Sequence, residues 1–187
     1  MEISLAQWLV ILICAVLIIG YIAGNYYSRQ RAEQILAWLH SGLEKWGTVS
    51  AGEKLPGMVS GGQLIVQKAS EPFLRIEASY RLAPRENPLF WLFHRLQGRN
   101  DELLLKINLP KPPKTEMTLN RGDISNIIYC GKGTENQRDA FVVRYGKSLF
   151  HLAIRRKAPH LIVRVHLPAL MSDNAETFFN ALGELMT

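Results

Sequence analysis

The stretch that most limits what this chain can become runs from Ile3 to Gly24, ISLAQWLVILICAVLIIGYIAG, and contains no charged residue. A helix rises about 1.5 Å per residue, so roughly 20 apolar residues cross the hydrocarbon layer of a bilayer. Ser4 and Gln7 sit near its outer end, where polar side chains can reach headgroups. Trp8 lies near that end too, and Tyr21, Tyr26 and Tyr27 mark the other. Aromatic residues at both ends are expected where a helix meets two headgroup layers. The run is apolar on all sides, which does not suit a helix with one face in a protein core. Nor does it read as a cleaved leader: no basic segment precedes it, the apolar run is too long, and bulky Tyr26 and Tyr27 follow it. The expectation is a retained single-pass signal anchor over residues 1–27, with Leu5, Trp8, Leu12, Val16, Ile19 and Tyr21 in the bilayer.

All 22 Lys and Arg follow this run, whereas of the 16 Asp and Glu only Glu2 precedes it. Arg29 and Arg31 come directly after it. The positive-inside rule then predicts an outside N-terminus and a cytoplasmic domain over residues 28–187. A basic body held at a membrane is drawn to anionic lipid, at about 1 kcal/mol for each Lys or Arg close to the surface. The same charge suits RNA or an acidic partner, and because it is scattered it also suits a merely solvated surface. Cys14, in the apolar run, and Cys130, far beyond it, are not expected to pair; this fits a reducing compartment and offers no metal site.

Beyond the anchor, Asn25 to Trp46 carries Ile35, Leu36, Leu39, Leu43 and Trp46 at helical spacing, with Ser28 as a candidate cap. This stripe either packs on the domain or lies in the headgroup layer. Residues 48–62 read as a loop with at most a short strand. Gln63–Lys68 and the alternating Phe73–Leu82 read as strands joined by a turn at Glu71-Pro72. Asn87-Pro88 opens a helix, LFWLFHRLQ, that is too apolar to lie free on a soluble protein. It is either buried against the sheet or set in a membrane interface, with Phe90, Trp91 and Phe93 inserted and Arg95 and Arg99 at the phosphates.

Asp101–Pro110 is a strand with Leu103, Leu105, Ile107 and Leu109 on one face, and Asp101 and Glu102 read as solvated carboxylates on opposite faces. After a Pro-rich turn, Thr115–Leu119 pairs back as a shorter strand. Asp123–Ile128 is a short helix or a strand, Tyr129–Asp139 a polar loop, and Ala140–Tyr145 a strand. Lys147–Arg156 is helical or extended, and Leu161–Leu167 is a strand. Asp173 caps a final helix to Met186, with Glu176 completing a capping box. The order gives an α+β fold: one mostly antiparallel-sheet domain with flanking helices behind a transmembrane helix.

Signatures of common chemistry are missing. Gly146-Lys147-Ser148 lacks the glycine a phosphate-binding loop needs five residues earlier, where Phe141 stands; Gly131-Lys132-Gly133-Thr134 has Asn126 there instead. The five histidines form no metal-binding pattern, and His166 reads as an outward-facing strand residue. There is no Gly-x-Ser-x-Gly elbow, and Arg121-Gly122-Asp123 reads as a turn. Arg155-Arg156-Lys157 is the densest basic run but has no interleaved aromatic residues, so specific nucleic-acid binding is not expected. No cofactor and no small-molecule substrate is indicated.

Three segments carry a likeness: RAEQILAWLHSGLEKW after the anchor, the strand–helix–strand unit from Phe73 to Pro110, and the closing strand and helix from His160 to Met186. In pattern and order they resemble the calumin-like coiled-coil-domain proteins of the endoplasmic reticulum, subunits of a chaperone complex beside the protein translocon. The resemblance implies a cytosolic α+β domain on one anchor and a non-enzymatic helper of membrane-protein insertion. Neither that family's long basic coiled coil nor its acidic lumenal region stands in this sequence. The expectation is therefore a binding or scaffold protein whose partners are the lipid bilayer and membrane proteins or insertion machinery. Phe90, Trp91, Phe93, Arg95, Arg99, Arg155 and Arg156 are its candidate contacts. The alternative is a membrane-anchored enzyme acting on lipid or a lipid-linked substrate.

Overall fold

The computed structural model describes residues 4–51, 61–85, 87–96, 100–114, 116–124 and 137–186. Its first element, helix α1, is Leu5–Leu43, a single run of 39 residues, about 58 Å long at 1.5 Å per residue. Ser4 opens it with a capping box: its Oγ accepts the Gln7 N–H at 3.4 Å, and its own N–H donates to Gln7 Oε1 at 2.9 Å. The apolar half is long and apolar enough to cross a membrane, and none of its most apolar window is buried within the protein. The second half is core: Ile35, Leu39 and Leu43, each four residues apart, have no exposed surface.

Anchor and following helix are therefore one rod. Ser28, expected as a cap, lies inside the helix and is buried. The composition changes there, but Gln30, Arg31 and Glu33 are as compatible with a helix as the apolar residues before them, so nothing breaks the backbone. The helix ends only after the 3-10 turn Glu44–Trp46, at Gly47. That glycine has φ +150°, and a Cβ there would meet Val66 Cγ1 at 3.0 Å.

The domain is a seven-stranded sheet, β1 (Val49–Ala51), β2 (Gly61–Gln67), β3 (Arg75–Arg81), β4 (Glu102–Asn108), β5 (Met117–Asn120), β6 (Leu149–Ile154) and β7 (Leu161–His166). The spatial order is β1-β2-β3-β4-β7-β6-β5, antiparallel at every step. The helices labelled here are α1, α2 (Pro88–Leu96), α3 (Gln137–Tyr145), α4 (Leu167–Leu170) and α5 (Ala175–Glu184). Alternation along the strands puts one row per strand inward: Leu64 and Val66, Ile76, Ala78 and Tyr80, Leu103, Leu105 and Ile107, and Leu161, Val163 and Val165, all buried. The second half of α1 covers this face together with α5 and α3. Trp38 lies 6.2 Å from both Phe178 and Phe179, and Phe178 meets Phe141 and Tyr145 at 6.1 and 5.1 Å.

Several sequence expectations are corrected. Residues 137–145 form a helix, not a loop followed by a strand, because Phe141, Val142 and Tyr145 are buried at helical spacing. Strand β5 pairs with β6 rather than back onto β4. The last helix is capped by Asn174, whose Oδ1 accepts the Glu176 N–H at 3.0 Å, one residue later than expected. Lys147–Arg156 resolves as a turn and strand β6. Arg121–Ile124 is a helical turn, while 125–136, with Cys130 and most of the expected polar loop, lie outside the described residues.

Helices α1 and α5 meet where Gly42 stands. A Cβ there would come within 2.5 Å of Phe179 Cδ2 and 2.8 Å of Ala175 Cβ. Gly42→Ala should therefore cost about 1–3 kcal/mol by overpacking, against the small gain Ala brings to an open helix, as read by thermal or urea unfolding of the full chain.

Candidate functional site

Each strand has a near end, where the apolar half of α1 leaves the domain, and a far end. The long helix crosses the sheet between them: Arg31 stands at the start of β4, and Trp46 packs edge-on against Phe73 at 4.8 Å beyond the other end. At the near end a buried carboxylate gathers several chain segments. Asp101, expected in solvent, is 1% exposed. Its Oδ1 accepts the Ala83 N–H at 2.9 Å and the Arg85 guanidinium at 3.0 Å, and its Oδ2 lies 2.8 Å from Arg85. Arg31 of α1 stands 3.7 Å away, an ion pair without a hydrogen bond. The Asp101 carbonyl accepts the Leu167 N–H at 3.0 Å, which ties in the start of α4. The Arg85 guanidinium also lies over the Tyr27 ring, 5.1 Å from its centre, so α1 meets the cluster through two residues one turn apart. Glu102 points to the other face and is held by Arg164 at 2.6 Å.

Helix α2 bridges the near ends of β3 and β4. Asn87 caps it as expected, its Oδ1 accepting the Phe90 N–H at 3.3 Å. Its apolar side is not buried against the sheet: Phe90 is 59% exposed, Leu92 50%, Phe93 56% and Leu96 79%. At 100° per residue these four fall on one arc, with the half-buried Trp91 turned away from it. The inner face of the sheet is already filled by α1, α3 and α5, which leaves α2 no core to enter. It lies beside α1. Among the described residues, every exposed large apolar side chain outside α1 and α2 is either Leu74 or Val143. The lipid-like surface of the chain is thus concentrated at one end.

The other expected contacts do not all converge there. Trp8, Leu12, Val16, Ile19 and Tyr21 line the exposed half of α1; the side chains of Leu5 and Arg95, and all of Arg99, lie outside the description. Arg155 and Arg156 sit in the β6–β7 turn at the far end, about 20 Å away along a strand of six or seven residues. There the Arg156 backbone N–H donates to Glu116 at 2.9 Å and its guanidinium to the Lys114 carbonyl at 3.1 Å.

Histidines are dispersed. His151 Nδ1 meets Asn120 at 3.0 Å, and His160 Nδ1 accepts the Leu109 N–H at 3.0 Å. His166 stands opposite Glu102 in the sheet register, half-buried, with Nε2 unpartnered among the described residues. Burial holds its pKa below the ordinary 6.5, against smaller opposing effects of Asp101 and Glu102. Among the described residues no group of three or more His, Cys, Asp or Glu could hold a metal.

Fold and site define an α+β domain carried on a helix able to cross a membrane, with a second apolar helix beside the point where the first leaves. The sequence matches no protein-family model and no curated protein.

Two measurements check this site. Asp101→Ala leaves Arg85 and a buried N–H without their acceptor and Arg31 without its counter-charge, and should cost about 3–5 kcal/mol, read as a fall in unfolding midpoint. For His166 the folded pKa lies below the unfolded value, so the unfolded chain binds the proton more readily. Stability is then full above about pH 6.5 and falls as pH drops below it. His166→Gln should flatten a melting-temperature profile between about pH 7 and 5.

Proposed function

We propose that this chain is a single-pass membrane protein whose domain lies on the cytoplasmic side and acts by binding rather than catalysis. One observation carries the reading: the exposed apolar face of α2 sits beside α1 at the end of the domain from which the apolar half of α1 emerges. An amphipathic helix in that place rests at headgroup depth, where Phe90 and Phe93 meet lipid or the flank of another membrane protein. Arg29 and Arg31, directly after the apolar run, favour the cytoplasmic orientation. The resemblance to translocon-side chaperones supports a narrower form, in which the partner is a membrane protein during insertion or assembly.

The alternative of an enzyme on lipid-linked substrates draws on His166 standing across from Glu102. The Glu102 carboxylate is already engaged by Arg164, however, which weakens it as a proton acceptor for that ring.

The test is photocrosslinking in cells from positions 92 and 96 on the same exposed arc, read by mass spectrometry, in the unaltered chain and in the double variant Phe90→Ser with Phe93→Ser. Both residues are more than half exposed, so the double variant should keep its melting temperature while losing its crosslinked membrane partners. Unchanged crosslinking in a folded variant defeats the contact role, and digestion of the domain by protease outside intact cells defeats the orientation.

A further inference from the structure

On the sheet face opposite α1, at its near end, lies a cavity of about 340 Å³ lined, among the described residues, by Arg81, Leu82, Ala83, Pro84, Asn100, Glu102 and Arg164. That volume lies within the range of about 300–1,000 Å³ typical of small-ligand sites. We propose that this cavity binds the phosphodiester of an anionic phospholipid headgroup. The inference rests on the membrane reading above, since it needs the near end of the domain at headgroup depth.

The argument is one of charge and place. Among the described residues, two guanidinium groups and one carboxylate line the cavity. Arg164 places both its Nε and an Nη on a single oxygen of Glu102, at 3.0 and 2.6 Å, so that pair is neutral. Arg81 remains. It is exposed at the end of β3, and no hydrogen bond or ion pair engages it among the described residues. Its cross-strand neighbour on one side is Gly61, which has no side chain to fill the space beside it, and on the other Glu102. The Arg81 guanidinium suits the negative charge of a phosphodiester, and its fork suits two of the phosphate oxygens.

Place selects the source. The two walls of the cavity are the segments that lead into α2 and out of it, Arg81–Pro84 and Asn100–Glu102. In this proposal a lipid with its chains along the exposed arc of Phe90, Phe93 and Leu96 sets its phosphate at this cavity. The far-end cations Arg155, Arg156 and Lys157 lie beyond a Debye length of about 8 Å from that level and do not compete for it.

The experiment uses the full chain in an uncharged detergent, with phosphatidylglycerol added and native mass spectrometry counting retained lipid. Arg81→Gln should lower the retained lipid about tenfold, the loss expected for one charge-assisted contact, while Lys157→Gln leaves it unchanged. A parallel arm follows thermal protection by inorganic phosphate and by glycerol 3-phosphate. Equal lipid retention by R81Q and the unaltered chain overturns the site. Arg81-dependent protection by inorganic phosphate without lipid retention overturns the lipid assignment and gives the cavity to a soluble anion. Alkaline extraction of the chain from cell membranes is scored separately: release defeats the membrane reading, whereas an integral protein whose R81Q variant still holds lipid defeats this inference alone.

Discussion

A single helix serves two solvents, and the rest of the structure follows from that. For its first half α1 shows apolar surface on every side. For its second half Ile35, Leu39 and Leu43 are sealed beneath the sheet, each burial contributing about 1.5–3 kcal/mol. No joint separates the halves, because nothing between Gly24 and Leu43 stops a helix. The domain therefore cannot swivel on its apolar stem as it would on a flexible linker, and the direction of α1 fixes which face and which end of the sheet lie closest to that stem.

Asp101 sets the depth at which the rod enters the domain. A carboxylate this buried is tolerable only when its oxygens are filled, and they are filled by a backbone N–H and Arg85, with Arg31 of α1 beside them. Those groups come from the helix, from the segment before α2 and from the start of β4, so the cluster indexes all three against one another. Sliding α1 by a turn would strand Arg31 and lift Tyr27 from the Arg85 guanidinium. The position of α2 beside α1 is thus held by buried charge, not by the apolar face of α2 itself, which stays open.

The α+β class, the apolar span, the inward row of Leu103, Leu105 and Ile107, and the Asn87 cap were all readable from spacing alone. The fate of Asp101 was readable as well: it is in phase with that same inward row, two residues before Leu103, and a period of two places it inside. Reading it as solvated gave its charge more weight than its register. In α3 the β-branched pair Val142-Val143 masked the helical spacing of Phe141, Val142 and Tyr145. Adjacent strands usually pair, which is why β5 was expected on β4. The actual position of β5 depends on β7 taking the place beside β4, a long-range outcome no local pattern encodes. The exposure of α2 was likewise beyond local reading, because it depends on α1, α3 and α5 having filled the inner face first.

That late arrival of β7 has a consequence for how the molecule is made. A growing polypeptide leaves the ribosome N-terminus first, so α1 and β1 to β4 are out while the flank of β4 still waits for Leu161–His166 and the stripe of α1 still waits for Phe178 and Phe179. The sheet closes from its middle, by insertion of its last strand, and the lid over the helix comes last of all. Until Leu161–His166 and Phe178–Phe179 have emerged, the nascent chain presents a bare strand margin and a greasy groove together.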